Sequence, residues 1–537
     1  MRTQTTQKPW LALIPILMSF FMIMVDTTIV NIAIPTLLKH FNTDLTTLMW
    51  VNSAYMLAYA VPLLLTGRLG DRFGQDKLFI AGTFLFTVAS AWCGFAHSVH
   101  ELIIARTVQG LGSAMLTPQT MAMVSKIFPP EERGKAMSMW GAVAGVATMF
   151  GPIIGGFLVD GPGWEWIFFV NVPFGILALF LCYKYLPSFS GIPTKFDLFG
   201  VVLSGIGLFC LVFAIQESHQ YNWGTISGPI TVWRLIIVGI LFLIAFVVQQ
   251  KYAGENALLP LELFRNRNFD FANIAGFFAT FTMVMFSLPF TIYLQGALGM
   301  DPRKSALVLL PMSLASGLMA PVVGRLSTKI QPRLISAAGF IIFGLGLLAM
   351  IQFIKPEGDL LWISLTSVLA GIGLGGLFSP IANIVTQSSP RHLIGAGSGV
   401  FNTVRQLGGV MGGAVVASVL ASNTTKYLDA QADAQASKFP EQMRSTIVSS
   451  IKSSGGGASE FGSSQKFTPP PGVPADVVTN IKNTVDSIVK TGLSEASSHT
   501  LIMLLVPLIL GAIACLLMQN LKLGKAPKDE SLIPVGE

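Results

Sequence analysis

Asp26, Arg106 and Arg405 are charged residues that lie inside long apolar runs of this chain. Asp26 lies within LALIPILMSFFMIMVDTTIVNIAIP, whereas the other 26 acidic residues fall in polar segments or at the ends of apolar runs. A carboxylate in apolar surroundings is costly and usually functional, and burial favours its neutral form. Asp26 could therefore bind and release protons. A carboxyl capped by Thr27 and Thr28 at a structural kink is the alternative.

The residue pattern gives little support for ATP binding, enzymatic catalysis or metal binding. No GxxxxGK[ST] phosphate-binding motif occurs, because Gly134-Lys135 and Gly524-Lys525 are each followed by Ala. No nucleophile motif is evident, and the cysteines lack the spacing of metal ligands or of a disulfide framework. The chain is therefore predicted not to be an enzyme, and neither a metal nor a cofactor is predicted. The histidines, which lie at loops or run ends without forming a metal-ligand cluster, are His40, His97, His100, His219, His392 and His499.

The composition predicts that membrane spans position these residues. Hydrophobic residues make up 52% of the 537 residues and charged residues 11%, against about 25% charged residues in a soluble domain. Fourteen runs have the length that crosses a bilayer, about 20 residues. They cover approximately residues 10–35, 48–66, 78–97, 101–124, 135–159, 166–187, 197–216, 231–250, 271–296, 305–324, 334–354, 361–386, 394–421 and 500–520. The net charge is +7, and the charged residues lie mainly between these runs. No nucleic-acid partner is therefore predicted.

Lysine and arginine are distributed unequally between the two sides of the predicted membrane. Twenty of the 34 fall on the side that holds the N-terminus, and five fall in the short segments of the other side. Because cytoplasmic loops carry an excess of these residues, the pattern predicts a multi-pass membrane protein with both termini in the cytoplasm. The contacts predicted from the residues alone are membrane lipids, together with protons at Asp26.

Two short repeats indicate a duplicated architecture. GRLGDRFGQDKL (67–78) is echoed by GRLSTKIQPRL (324–334), and GLGSAMLTP (110–118) by GIGLGGLFSP (371–380). Their similar offsets predict that spans 1–6 and 9–14 are two six-helix halves and that spans 7 and 8 are an inserted pair. The predicted domains are an N-terminal bundle (1–190), the inserted helices with their flanking loops (191–270) and a C-terminal bundle (271–537).

The long segment 422–499 of the C-terminal domain is predicted to be an extracellular loop. Its middle, SSGGGASEFGSSQKFTPPPGVP, has the composition of a linker. Ile481, Val485, Ile488 and Val489 follow at helical spacing and predict a short amphipathic helix. A solvated loop and a cap or partner surface over an outer opening are the two interpretations that remain.

The segment GRLGDRFGQDK resembles the signature of the major facilitator superfamily in the loop between spans 2 and 3. RTVQGLGSA (106–114) and ATMFGPIIGG (147–156) resemble the signatures of its spans 4 and 5, the latter typical of antiporters. The chain departs from the loop signature at Gln75-Asp76-Lys77, where two cations are usual. The residues to which the resemblance assigns gating are Gly67, Arg68, Gly70, Asp71, Arg72, Gly74, Gly151, Pro152, Gly155 and Gly156.

DTTIVNIAIP (26–35) and WEWIFFVNVPFG (164–175) are similar to signatures of fourteen-span drug:proton antiporters of the EmrB/QacA type. The resemblance implies an all-α polytopic membrane protein with the major facilitator fold and 14 transmembrane helices. It also implies a monomer in the plasma membrane of a bacterial cell, with small hydrophobic molecules as substrates and with proton coupling through Asp26 and Arg106, driven by the proton gradient. The implied activity is export of hydrophobic or cationic compounds by alternating access, as in multidrug efflux. A dedicated exporter of a lipid or metabolite on the same fold is the alternative.

Two positional predictions follow from the spans. Asp26 and Arg106 are expected at similar depths in the outer half of the membrane, where they could approach one another, whereas Arg405 has no acid at its depth. A substrate cavity is expected between the halves, lined by spans 1, 4, 9 and 12. Its candidate lining residues, each of which could equally be bundle core, are Met22, Asn31, Phe278, Met283, Phe286 and Tyr293.

Overall fold

The protein is a bundle of long α-helices, here described by a computed structural model. The structure describes residues 9–191, 197–218, 221, 223–327, 329–436, 444, 448 and 475–521, and the side chains of Asn31 and Pro152 lie outside the described part. The helices are α1 (Pro9–Phe41), α2 (Leu45–Ala60), α3 (Leu63–Phe73), α4 (Gln75–Gly94), α5 (Val99–Ile127), α6 (Pro130–Asp160), α7 (Trp166–Phe169), α8 (Asn171–Tyr185), α9 (Leu198–Gln216), α10 (Val232–Ala253), α11 (Arg267–Thr291), α12 (Pro302–Leu326), α13 (Pro332–Ile351), α14 (Leu360–Gly375), α15 (Phe378–Ser388), α16 (Ile394–Gln435), α17 (Ala475–Ile502) and α18 (Leu505–Leu517). A two-stranded antiparallel hairpin, β1 (Thr225–Ser227) and β2 (Ile230–Thr231), precedes α10.

The prediction of an all-α membrane protein is confirmed. Within the described residues, eleven helical segments are long and apolar enough to cross a membrane, and α2 with α3, bent by 44°, makes a twelfth. The less apolar α5 and α6 have 29 and 31 residues, more than the roughly 20 that a span requires. These segments are consistent with the fourteen predicted spans. We call the end of the bundle marked by Arg72, Lys126 and Arg391 the basic face, and the end where α1 terminates the opposite face.

Span 2 differs from its prediction because the signature that follows it is largely helical. Gly67 to Phe73 form most of α3 rather than a loop, and the bend lies before them, at Pro62, which lacks the N–H that would continue the helix. The turn between α3 and α4 is a single residue, Gly74, with φ of 103°. A Cβ atom there would lie 2.5 Å from the carbonyl oxygen of Phe189, so this position requires glycine.

The predicted long loop 422–499 is wrong in its extent. Helix α16 continues to Gln435, and α17 already begins at Ala475. Leu428 of α16 is buried, as is Ile488 of α17, and Gly492 of α17 lies so close to Leu428 that a Cβ atom would be 2.7 Å from its side chain. The predicted amphipathic helix is present and is longer than expected, because its apolar stripe packs along the extended α16. The linker-like part of the segment lies outside the described residues.

The predicted peripheral helices pack against the outside of the two halves. Phe213 of α9 stacks on Trp50 of α2, with ring centroids 5.7 Å apart. Val212 of α9 shares a small apolar cluster with Leu57 of α2, against which Leu407 of α16 also packs. Helix α10 packs chiefly on α9 and leaves most of its surface exposed. A helix pair inserted between two six-helix halves is expected to pack on their outside, as α9 and α10 do here. The exact domain boundaries stay a prediction.

Glu217, directly after α9, lies buried at the opposite face and accepts a hydrogen bond of 2.8 Å from Ser53 Oγ of α2. Burial raises the pKa of this carboxyl above its ordinary value of 4.5, although the bond from Ser53 works against the rise. A raised pKa means that Glu217 contributes stability at low pH, which is lost as the pH rises through the folded-state pKa. Glu217→Gln, which is neutral at every pH, should therefore raise the melting temperature at pH 7.5 by about 2 °C and reduce its pH dependence above pH 4.5.

The control for this prediction is Ser53→Ala, which removes the donor and retains the acid. Because the Ser53 bond lowers the pKa of Glu217, its loss should shift the pH-dependent decrease in melting temperature to higher pH. A Glu217→Gln protein with the same pH dependence as the unmodified protein would contradict the prediction.

Candidate functional site

Asp26 and Arg106 form an ion pair buried among the N-terminal helices. Arg106 Nη1 of α5 lies 2.6 Å from Asp26 Oδ2 of α1, and both side chains are 0% exposed. Because α1 continues to Phe41 rather than ending near Pro35, Asp26 lies close to the middle of its helix. The structure thus brings together the two residues to which the sequence assigned proton coupling.

Amide side chains hold the second oxygen of the carboxylate. Gln109 Nε2 donates to Asp26 Oδ1 at 2.9 Å, and Asn171 Nδ2 donates to the same oxygen at 3.2 Å. Both amides also donate to Ser90 Oγ, at 3.2 and 3.1 Å. Gln109 Oε1 in turn accepts from Arg106 Nη1 at 2.7 Å. Asp26 therefore accepts three hydrogen bonds from side chains of α5 and α8.

The sequence analysis did not assign Gln109, Asn171 or Ser90 to the site. Gln109 follows Arg106 by three residues inside the quoted motif RTVQGLGSA, a spacing that places both on one face of a helix. Asn171 lies in the quoted motif WEWIFFVNVPFG. These two polar residues in apolar spans could have been recognised from the sequence. No comparable signal marks Ser90, since a serine in a membrane helix is common.

The remaining surroundings of Arg106 are aromatic. Its guanidinium carbon lies 3.9 Å from the centre of the Tyr55 ring and 5.8 Å from that of Phe168. Nε donates to the Val51 carbonyl at 3.4 Å, and Nη2 has no hydrogen-bond partner among the described residues. All of these residues belong to α1–α8, so the described contacts of the ion pair lie within the N-terminal helices.

The predicted gating residue Asp71 connects the two halves at the basic face. Its Oδ1 accepts the backbone N–H of Gly395 at 3.0 Å, and its Oδ2 accepts that of Ala396 at 2.7 Å. Gln75 Nε2 donates to the same carboxylate at 2.9 Å. Gly395 and Ala396 open α16, where unpaired N–H groups and the helix dipole favour an anion. Asp71 thereby caps a helix of the other half.

Glycine makes this contact between α3 and α16 possible. A Cβ atom on Gly67 would lie 2.6 Å from the carbonyl oxygen of Gly395 and 2.9 Å from Cα of Gly399. Gly70 instead faces Gln119 of α5, which donates to the Thr66 carbonyl at 2.8 Å. Gly67 therefore allows the close contact between α3 and α16, which we call the first seam between the halves. Gly70 allows close packing within the N-terminal half.

A second seam joins α6 to α12 and α15. A Cβ atom on Gly324 of α12 would lie 3.1 Å from Cα of Lys135, and Ser379 Oγ of α15 donates to Ser138 Oγ of α6 at 3.2 Å. Both contacts lie in the half of the bundle nearer the basic face. Together with the Asp71 contact, they close that face in this structure.

The predicted gating residues of α6 and the arginines of α3 have other surroundings. Cβ atoms on Gly151 and Gly155 would clash with Thr28 and Ile29 of α1, so these glycines allow α6 to approach α1 within one half. Gly156 lies on the same helix. Arg72 lies 5.1 Å from the Phe73 ring, and Arg68 is half-buried one turn before it on α3.

The predicted cavity residues lie mostly in the packed core. Phe286 of α11 packs edge-on against Phe343 of α13, and the Tyr293 hydroxyl donates to the Lys355 carbonyl at 3.0 Å. These two residues face the interior of the C-terminal helices in this structure. Met22 is buried, and Phe278 and Met283 are partly buried against the main core. The assignment of this set to a cavity, Asn31 included, stays a prediction.

Comparison with known proteins decides the family. The sequence pattern described as the Major Facilitator Superfamily matches residues 16–413, well over half of the chain. The chain belongs to the major facilitator superfamily. Its family and fold are those of transporters rather than enzymes.

Two curated relatives show which kind of major facilitator the chain is similar to. The Multidrug resistance protein Stp of Mycobacterium tuberculosis is 34% identical over 418 residues, which are 77% of this chain and 76% of the relative. The Multidrug export protein EmrB of Haemophilus influenzae is 30% identical over 394 residues, 73% of this chain and 76% of the relative. The predicted resemblance to drug exporters of the major facilitator superfamily is confirmed.

A solved structure shows the same fold. The major facilitator proton:xylose symporter XylE, bound to 6-bromo-6-deoxy-D-glucose, matches with a TM-score of 0.56 at 13% identity, covering 86% of this chain and 97% of that chain. At this identity the match shows the fold alone. The helical architecture of this major facilitator protein therefore agrees with its sequence family.

Proposed function

We propose that the protein is a proton-driven antiporter that exports hydrophobic compounds, cationic ones among them, across the plasma membrane of a bacterial cell. The observation that carries the proposal is the fully buried Asp26–Arg106 pair, since a membrane carboxylate that can lose its charge is what proton exchange requires. The drug-export relatives support the direction and the class of substrate.

The contacts between the halves support alternating access. With the basic face in the cytoplasm and both termini there, this structure is the form closed to the cytoplasm. A proton arriving from outside would neutralise Asp26 and release Arg106 and the amides from its charge. Reopening of the cytoplasmic face then requires the hydrogen bonds from the Gly395 and Ala396 N–H groups to Asp71 to break. Once that face is open, Arg106 favours release of the proton from Asp26 to the cytoplasm.

The proposal is tested with purified protein in liposomes that enclose a pH-sensitive dye. An outward-directed flux of ethidium or Hoechst 33342 should be accompanied by inward proton movement, and an imposed pH gradient should drive the flux. Protein-free liposomes give the background. Transport that proceeds at the same rate with and without a pH gradient, and that moves no protons, would contradict proton-driven antiport.

Arg106→Ala should reduce the rate of gradient-driven transport far more than the affinity for substrate. In this proposal the guanidinium, 2.6 Å from Asp26, promotes release of the proton, so release is slower without it. Substrate affinity should change little, because the described contacts of Arg106 all lie within the N-terminal half and none joins the two halves. Transport rates in liposomes and equilibrium dye binding to the purified protein measure the two effects. The matched variant Arg106→Lys retains the charge and should keep part of the rate. Equal losses in rate and affinity would contradict this role.

A further inference from the structure

Arg405 is a buried cation that the proton-coupling site does not use. It lies on α16, its exposed fraction is 6%, and it forms no ion pair with any residue that the structure describes. Its Nε has no hydrogen-bond partner among the described atoms. A charge removed from water without an opposite charge is strongly unfavourable, so a ligand that supplies the missing charge would be favoured.

The surroundings of Arg405 come from the other half of the molecule. Its guanidinium carbon lies 5.6 Å from the ring centre of Trp140 on α6, and it contacts the hydroxyl of Tyr59 on α2. Tyr59 is fixed by a hydrogen bond of 3.1 Å with Thr117. Trp140 donates to Thr120 Oγ1 at 3.0 Å. Arg405 therefore projects from a C-terminal helix into an ordered aromatic and hydroxyl environment of the N-terminal helices.

Tyr59 also places Arg405 relative to the ion pair. Tyr55, which stacks on Arg106, precedes Tyr59 by one turn of α2, about 6 Å along the axis. Arg405 is thus about one helical turn nearer to the basic face than Arg106. Of the charged residues that the structure describes, these two cations and Asp26 are those that lie away from both faces. The middle of the bundle consequently carries one positive charge in excess, and two when Asp26 is protonated.

We propose that Arg405 binds an anionic group, a carboxylate in the first instance, on the hydrophobic compounds that the protein exports. This inference rests on the proposed export function and adds a preference to it: among the hydrophobic compounds exported, those that carry an acidic group, alone or beside a cationic group, bind more tightly than their neutral analogues. A guanidinium binds a carboxylate through two parallel N–H donors, and Nε is a donor without a described partner. The tyrosine and tryptophan supply the apolar contact that the rest of such a compound requires.

The position of Arg405 between the halves links binding to the conformational cycle. A compound held by Arg405 of α16 and by the aromatic side chains of α2 and α6 touches both halves at once. Such a ligand has different contacts whenever the halves move relative to one another, and this differential contact is what allows a substrate to shift the equilibrium between two conformations.

The test uses two probes that differ only in charge, N-dansyl-phenylalanine and N-dansyl-phenylalaninamide. Binding of each to the full-length protein in nanodiscs is measured by dansyl fluorescence at pH 7.5, without a proton gradient. The unmodified protein should bind the acid at least about tenfold more tightly than the amide, the ratio expected of one charge-assisted contact. Arg405→Gln should bring the ratio close to one, and Arg405→Lys, which keeps the charge without the planar donor pair, should give an intermediate ratio.

The ratio separates ligand binding from a structural role of Arg405. Loss of a structural contact would weaken both probes equally and leave the ratio unchanged, which would overturn the inference. Equal affinities for both probes in the unmodified protein would also overturn it, even if Arg405→Gln did not fold. Because no gradient is present, a protein that shows the charge preference without moving protons would refute only proton-driven export. A protein that couples transport to protons without a charge preference would refute only the role of Arg405.

Discussion

Asp26→Asn is expected to reduce proton-driven export to the background of protein-free liposomes while the protein remains folded in the membrane. Asparagine has nearly the shape of aspartate but cannot bind a proton reversibly, and among the described residues no other acid lies at this depth in the bundle. Gradient-driven transport measures the loss. Asp26→Glu, which keeps a titratable carboxyl, is the matched control and should retain measurable transport.

A double variant distinguishes a proton carrier from a static ion pair. Asp26→Asn leaves Arg106 as an unpaired buried charge, which costs about 3–5 kcal/mol of stability in typical proteins. Asp26→Asn combined with Arg106→Gln removes both charges and should restore the melting temperature. If the pair is only structural, this double variant should also restore proton-driven transport. If Asp26 carries the proton, transport should remain at background, and recovery of transport would contradict the mechanism.

Gly67→Ala is expected to shift the protein away from the conformation that is closed at the basic face and to slow transport strongly. The added Cβ would lie 2.6 Å from the Gly395 carbonyl oxygen, and overpacking of this kind costs about 1–3 kcal/mol. That cost corresponds to roughly a five- to 150-fold change in the conformational equilibrium. Alanine is a better helix former than glycine, so α3 itself should not be weakened.

The opening is measured by labelling a cysteine placed at Ser379, which is buried at the second seam, with a membrane-impermeant maleimide. Labelling should be faster when Gly67→Ala is present. Gly205→Ala on α9 is the matched control, because a Cβ atom there meets nothing within 4 Å. Equal labelling rates in the two variants, with transport unchanged, would show that the Gly67 contact does not control the seam.

The positions of the helices could be predicted largely from the sequence because each span must satisfy its own backbone in lipid and therefore appears as an apolar run. The same reasoning failed where a helix leaves the lipid. Leu428 of α16 packs against α17 beyond the length that a bilayer needs, and its neighbours are polar enough to resemble a loop. The helical part of the signature at Gly67 was missed because the apolar run ends just before it and the resemblance placed the signature in a loop.

The partners within the site were predictable only in part. Asp26 and Arg106 were identifiable because charges are rare in apolar runs, and their contact required only similar depths. The partner of Asp71 was not predictable, since it is the backbone of Gly395 and Ala396 and every residue offers a backbone N–H. The facing directions of Phe286 and Tyr293 were not predictable either, because an aromatic residue in a span is equally suited to a cavity and to a core.

Helix α16 is long enough to connect the basic face with a region far beyond the opposite end of the bundle. The first residues of this 42-residue helix donate hydrogen bonds to Asp71, and Arg405 lies farther along it. Its far end packs against α17, and we call this helix pair the stalk. At 1.5 Å per residue the helix is about 63 Å long. A rocking motion of about 10° about the basic face would displace the stalk tip by roughly 10 Å. An antibody fragment or fluorophore fixed to the tip would therefore report, from outside the bilayer, movements that begin at the opposite end of the molecule.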